Sequence, residues 1–135
     1  YFGPCEVMTV KVAKGERIRP GDLPRDVNAP RLLLRTDTFP DPNHFNEDFA
    51  SLSAELVEHL AGSNVRLVGI DTPSVDLFSD KALESHTAIA RHHMAILEGL
   101  ILNHVEDGSY TLIALPLRLQ GADASPVRAA LIKGH

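Results

Sequence analysis

Cysteine is almost missing from this sequence: Cys5 is the only one in 135 residues. That excludes an internal disulfide framework and a multi-cysteine zinc site, and it suits a reducing cytoplasm. Basic charge is also in short supply. Thirteen Lys and Arg face eighteen Asp and Glu, a formal net charge of -5. The basic residues are scattered, so the chain offers no electrostatic footprint to a nucleic acid or an anionic membrane surface. Aromatics amount to five Phe and two Tyr and do not interleave with basic residues. No apolar run approaches the roughly 18 residues that span a bilayer; Val65–Ile70 and Leu112–Leu117 are strand-sized. A Gly-rich phosphate loop and a nucleophile-elbow motif are absent as well, which removes the commonest nucleotide-binding and serine-hydrolase signatures.

What is present is the balance of a globular domain, with 44% hydrophobic and 23% charged residues and a mean hydropathy near zero. The length is that of one ordinary domain, and no repeat, linker or low-complexity tract divides it. The chain opens on Tyr1 rather than Met and runs within a few residues into a strand pattern, so it reads as truncated. Met8, Val10 and Val12 alternate with Val7, Thr9 and Lys11, which predicts a half-buried strand over Glu6–Val12. The prolines of Gly15–Pro30 permit one short helical turn at most. Leu32–Leu34 reads as a short buried strand. Ser53 can cap a helix over residues 53–62, with Leu52 stapled onto Val57, Glu55 favouring the positive end of the dipole and Gly62 ending it. Val65–Ile70, apolar on both faces, predicts a central parallel strand flanked by helices. A second helix is expected from Asp80, as its cap, to His92 or His93. Two further strands fall on Tyr110–Arg118 and Val127–Ile132. One α/β unit accounts for this order.

Chemistry-bearing residues concentrate in one stretch, where His86, His92, His93 and Glu98 lie within thirteen residues. The plainer reading leaves His92 and His93 on a solvated helix end, favoured by the negative pole of the dipole. The sharper one is a metal site. On a single helix His86 and Glu98 would stand about 18 Å apart. If the helix stops near His92, the chain climbs about 9 Å and returns about 10 to 13 Å along an extended segment, so the two side chains can meet. Imidazole and carboxylate suit Zn²⁺ or Mn²⁺, but two ligands are too few for a tight site. Asp71 and Asp76, in the polar turn after the Val65–Ile70 strand, could orient a ligand from behind, although turn carboxylates more often bond nearby amides. Cys5 reads as an inert buried thiol. His44, His59 and His135 show no informative spacing.

The run Val65-Arg66-Leu67-Val68-Gly69-Ile70-Asp71-Thr72-Pro73-Ser74-Val75-Asp76 resembles a segment of bacterial kynurenine formamidases, or arylformamidases, of the metal-dependent cyclase-like amidohydrolase family. His86 with Arg91-His92, Ala95-Ile96-Leu97-Glu98-Gly99-Leu100, Leu112-Ile113-Ala114-Leu115-Pro116-Leu117 and Asp123-Ala124-Ser125-Pro126-Val127-Arg128-Ala129 continue the likeness in order. Tyr1-Phe2-Gly3-Pro4-Cys5 resembles the point where the family's first third ends, so the chain looks like the carboxyl-terminal two-thirds. The resemblance implies a single α/β domain of swivelling β/β/α type, a homodimer and a binuclear centre, usually zinc with manganese as an option. It implies hydrolysis of N-formyl-L-kynurenine, a small-molecule substrate, to L-kynurenine and formate in tryptophan degradation. His86 and Glu98 match the family's late metal ligands, with Asp71, His92 and His93 as supporting candidates. The family's remaining metal motif and its catalytic histidine belong upstream of Tyr1, so no catalytic residue is expected within the chain and the isolated polypeptide is expected to be inactive. The alternatives are a related hydrolase of isatin type and a non-catalytic scaffold or dimerisation fragment.

Overall fold

The computed structural model describes residues 1–134; His135 lies outside the described residues. Its organising strand is β1 (Phe2–Thr9), which pairs in parallel with β3 (Arg31–Arg35) on one side and antiparallel with β7 (Gly108–Ile113) on the other. The sheet extends outward from β3 through β5 (Leu67–Ile70) to β6 (Ala95–Leu97), all parallel. Beyond β7 lies antiparallel β8 (Ala130–Lys133), giving a mixed six-stranded sheet in the order β6-β5-β3-β1-β7-β8. The short strands β2 (Arg17–Ile18) and β4 (Ser51–Leu52) form a separate parallel pair.

Both helices, α1 (Ala54–Gly62) and α2 (Glu84–Arg91), pack on one face of the sheet. Their Leu56, Val57, Leu60, Ala88 and Ile89 meet Met8, Leu32, Leu34, Val68 and Ile70 in one core. The opposite face buries Cys5, Val7, Leu33, Leu67 and Leu112 under Leu102, Val105, Val127 and Leu131, with no helix over it among the described residues. The expectation that helices flank Val65–Ile70 is therefore corrected. Its two apolar faces serve two different layers, one helical and one built from irregular segments and strand side chains. β5 is also the second strand from the sheet edge, not its centre.

Local signals and tertiary pairing set the element ends together. Ser53 caps α1 as expected, its hydroxyl accepting from Leu56 N at 3.0 Å, while Leu52 and Val57 share the core beneath. Gly62 is still helical; the turn is made by Ser63 and by Asn64 at φ 61°. The proline-rich connection holds one 3₁₀ turn, Pro20–Asp22. The first strand begins four residues earlier than Glu6 and ends at Thr9, because β7 pairs with it from Phe2 to Val7. It is buried on both faces, not half-buried, with Cys5 and Val7 covered as fully as Met8. On β7 the ladder ends where β1 does: Ala114 N donates to Tyr1 O, and Leu115, Leu117 and Leu119 beyond it are exposed. That cuts the expected Tyr110–Arg118 strand short at Ile113. The last strand likewise starts at Ala130, where β7 supplies a partner, rather than at Val127. Among the described residues no helix is long and apolar enough to cross a membrane.

Candidate metal centre

The second helix begins at Glu84, not near Asp80, and the reason locates the site. Leu83 takes a left-handed conformation at φ 51° and the first free amides of the helix receive carboxylates from the preceding turn. Asp80 Oδ2 accepts from Glu84 N at 3.1 Å, so Asp80 caps the helix from outside it. Asp76, in the turn that follows β5, accepts from Ser85 N at 2.8 Å and from His86 N at 3.0 Å. Its side chain is wholly buried. Burial pushes its carboxyl pKa up, but the backbone N–H groups of His86 and Ser85, the His86 ring and the Arg17 guanidinium outweigh that and hold it well below the usual carboxylate range. A buried anion at the positive end of a helix is the result.

This anion orients His86. The ring Nδ1 lies 2.8 Å from Asp76 Oδ2, so Nδ1 carries the proton toward the carboxylate and Nε2 presents its lone pair outward. α2 ends at its C-cap His92, and His93 at φ 53° turns the chain back into β6. Directly after β6 comes Glu98, whose Oε1 stands 3.4 Å from His86 Nε2 and accepts from Val75 N at 3.0 Å. Gly99 N and Leu100 N then bond Thr72 O and Ile70 O, fixing the strand end that carries Glu98. Gly69 permits this docking, since a Cβ there would come within 2.8 Å of the Leu100 side chain and 2.5 Å of Leu33. His86 and Glu98 are each about one-third exposed and share an open pocket of about 590 Å³ with Tyr1, Pro116, Leu117 and Leu119.

A partly exposed imidazole with its far nitrogen fixed by a buried carboxylate, facing a second carboxylate, is a donor set that fits a divalent transition ion. Among the described residues no group of three or more His, Cys, Asp or Glu side chains is arranged to hold such an ion. Asp76 spends its oxygens on His86, the helix amides and Arg17, which leaves His86 and Glu98 as the outward-facing donors.

The other candidates are placed elsewhere. Asp71 accepts from Thr36 N and Asp37 N at 2.8 Å and from the Thr36 hydroxyl at 2.7 Å, fastening the loop that leaves β3. His92 Nε2 lies 2.6 Å from Glu58 Oε2 on the outer surface, where Arg91 also pairs with Glu58. His93 is exposed at the helix end. Cys5 is buried, and desolvation pushes its thiol up to about 12. The sequence reading passed over Arg17, which lies in the proline-rich connection and reaches Asp76, Asp80 and Glu84 together. No local pattern announces it, because its partners are 59 or more residues away.

The architecture is that of a class of solved structures described as metal-dependent hydrolases. The chain is similar to a potential metal-dependent hydrolase with cyclase activity, at 27% identity and a TM-score of 0.85, over 96% of this chain and 64% of that one. It is also similar to a predicted metal-dependent hydrolase from Bacillus stearothermophilus, at 27% identity and a TM-score of 0.82, over 96% of this chain and 63% of that one. An isatin hydrolase shares the fold at 17% identity and a TM-score of 0.68, over 97% of this chain and 61% of that one. No protein-family model matches. The sequence relatives are more particular: the chain is homologous over nearly all its length to bacterial kynurenine formamidases. It is 46% identical over 133 residues to that of Bordetella pertussis and 45% identical over 134 residues to that of Sphingopyxis alaskensis, covering 97% of this chain in both cases. It spans 63% of the length of these curated relatives.

Proposed function

We propose that this chain supplies part of the active site of a metal-dependent hydrolase that converts N-formyl-L-kynurenine to L-kynurenine and formate. The observation that carries the reading is the convergence of His86 Nε2 and Glu98 in an open pocket, with buried Asp76 behind the ring, in a chain homologous to kynurenine formamidases. In this reading the 135 residues form one cyclase-like domain and His86 and Glu98 are the ligands the chain contributes. The remaining ligands and the histidine that protonates the departing aniline nitrogen come from residues outside it. A homodimer in the cytoplasm is part of the same proposal.

His86 and Glu98 would help to hold a divalent ion, zinc in this reading and manganese as the alternative, which when bound would supply Lewis acidity toward the formyl oxygen and lower the pKa of a water. The chain's own residues prepare for it. Asp76 holds the Nδ1 proton of His86, so that Nε2 stays available as a donor atom. Val75 N pins one oxygen of Glu98 and thereby sets the carboxylate's direction. The pocket wall of Pro116, Leu117 and Leu119 is apolar and offers an aromatic substrate a surface to pack against.

The decisive experiment assays the intact protein with added zinc or manganese on N-formyl-L-kynurenine and on isatin. Release of formate and L-kynurenine, with isatin turned over far more slowly, is the expected outcome. A preference for isatin overturns the substrate assignment, and no metal-dependent turnover of either overturns the reading.

A further inference from the structure

Arg17 stands on β2, far along the chain from the helix it serves, with its side chain 17% exposed. Every nitrogen of the fork is engaged. Nη1 donates to Asp76 Oδ1 at 3.0 Å, to Leu52 O at 2.7 Å and to Ser85 Oγ at 3.3 Å. Nη2 donates to Asp80 Oδ2 at 2.7 Å, and Nε lies 2.9 Å from Glu84 Oε1. One cation thus gathers the three carboxylates at the start of α2, two of which also cap its amides. Without it these anions would face one another in a partly dry environment, where like charges are costly.

The division of labour on Asp76 shows what Arg17 adds beyond charge. Oδ1 takes the Arg17 and Ser85 donors, while Oδ2 takes the backbone and ring donors of His86. A carboxylate is planar, so fixing Oδ1 from the Arg17 side fixes where Oδ2 stands beneath Nδ1. A rigid fork does this where a flexible point charge would not.

We infer that Arg17 is a positioning residue for His86: by fixing the plane of Asp76 it holds the imidazole as the Nδ1–H tautomer with Nε2 turned to Glu98. The consequence for metal binding rests on the reading of His86 as a ligand, whereas the consequence for the tautomer stands without any metal. A role confined to tying β2 onto α2 would cost stability and leave the tautomer of the folded protein unchanged.

The test compares the intact wild-type protein with Arg17→Met and Glu84→Gln. Long-range ¹H–¹⁵N correlation of the His86 ring is recorded in metal-free protein at a pH where imidazole is neutral, and zinc affinity is measured by competition with a chromophoric chelator. We expect one tautomer, Nδ1–H, in wild type and in Glu84→Gln, whose half-exposed carboxylate touches only the Nε edge of the fork. Arg17→Met should show mixed tautomers and a zinc affinity lowered ~10–100-fold. If Arg17→Met keeps a single Nδ1–H tautomer and binds zinc within about twofold of wild type, the inference is overturned. Should that variant not fold, Arg17→Met/Asp80→Asn/Glu84→Gln removes the opposed charges and carries the same two readouts with the same decision. An unchanged zinc affinity in His86→Ala would instead remove His86 from the metal site, and the tautomer measurement would still decide the role of Arg17.

Discussion

His86 and His92 each meet a carboxylate at hydrogen-bond distance, one in the first turn of α2 and the other at its C-cap, and the two pairs are built for different ends. The partner of His86 is wholly buried, receives two helix amides and a guanidinium besides the ring, and leaves Nε2 pointing into a pocket toward Glu98. The partner of His92 is Glu58, 43% exposed, and the contact uses Nε2 itself. Glu58 is drawn below the usual carboxylate range by His92 and Arg91, yet it stands in water and positions nothing beyond α1 and the end of α2. The lesson is that a short histidine–carboxylate distance does not mark a site. What distinguishes the pairs is how many other donors constrain the carboxylate, and whether the free ring nitrogen faces open space lined by a second donor.

Substitution should separate the two pairs most sharply in metal content. His86→Ala and Glu98→Ala in the intact protein are expected to lower zinc affinity by more than the ~10–100-fold typical of an outer partner. His92→Ala and His93→Ala should leave it unchanged, as measured by metal analysis after dialysis against limiting zinc. Loss of metal in the His92 variant would erase the contrast between the two pairs.

A smaller but clear difference is expected in stability. Asp76→Asn takes the buried partner from Arg17 and should cost about 3 kcal/mol in urea unfolding, the low end of the range for breaking a buried ion pair. Glu58→Gln should leave the midpoint where it was, because its pairs are exposed.

The least of the three effects is in acid. The folded pKa of Asp76 lies below its unfolded value, so the unfolded chain binds more protons between the two. The stability Asp76 contributes is therefore complete above the ordinary carboxylate range, about pH 4, and drains away as pH falls toward its folded pKa. Urea midpoints collected down the acid limb should fall less steeply for Asp76→Asn than for wild type. Equal slopes would mean that other carboxylates dominate.

The part of this site legible in the sequence is the part made by nearby residues. A helix stopping near His92 and an extended return place Glu98 back beside His86, and the eleven intervening residues suffice to see it. Ser53 as a cap, the buried Leu32–Leu34 strand and the single turn in the proline-rich connection were likewise local. What pairing over long distances decides was not legible. Gly3 and Pro4 precede the expected start at Glu6, yet they lie inside β1 because β7 pairs with it over a hundred residues later. The second helix starts at Glu84 because Asp76, Asp80 and Arg17 meet there, and Arg17 comes from β2. Asp71 and Asp76 occupy one turn and look equivalent as letters, but one fastens Thr36 and the other orients His86.

The most direct test of the central claim is the anomalous difference map of the intact protein crystallised with zinc and measured at the zinc edge. A peak is expected at coordination distance, about 2.0–2.2 Å, from both His86 Nε2 and a Glu98 carboxylate oxygen, with Asp76 still bonded to Nδ1. Zinc bound at other residues, with His86 and Glu98 left in contact with each other and no metal between them, would contradict it.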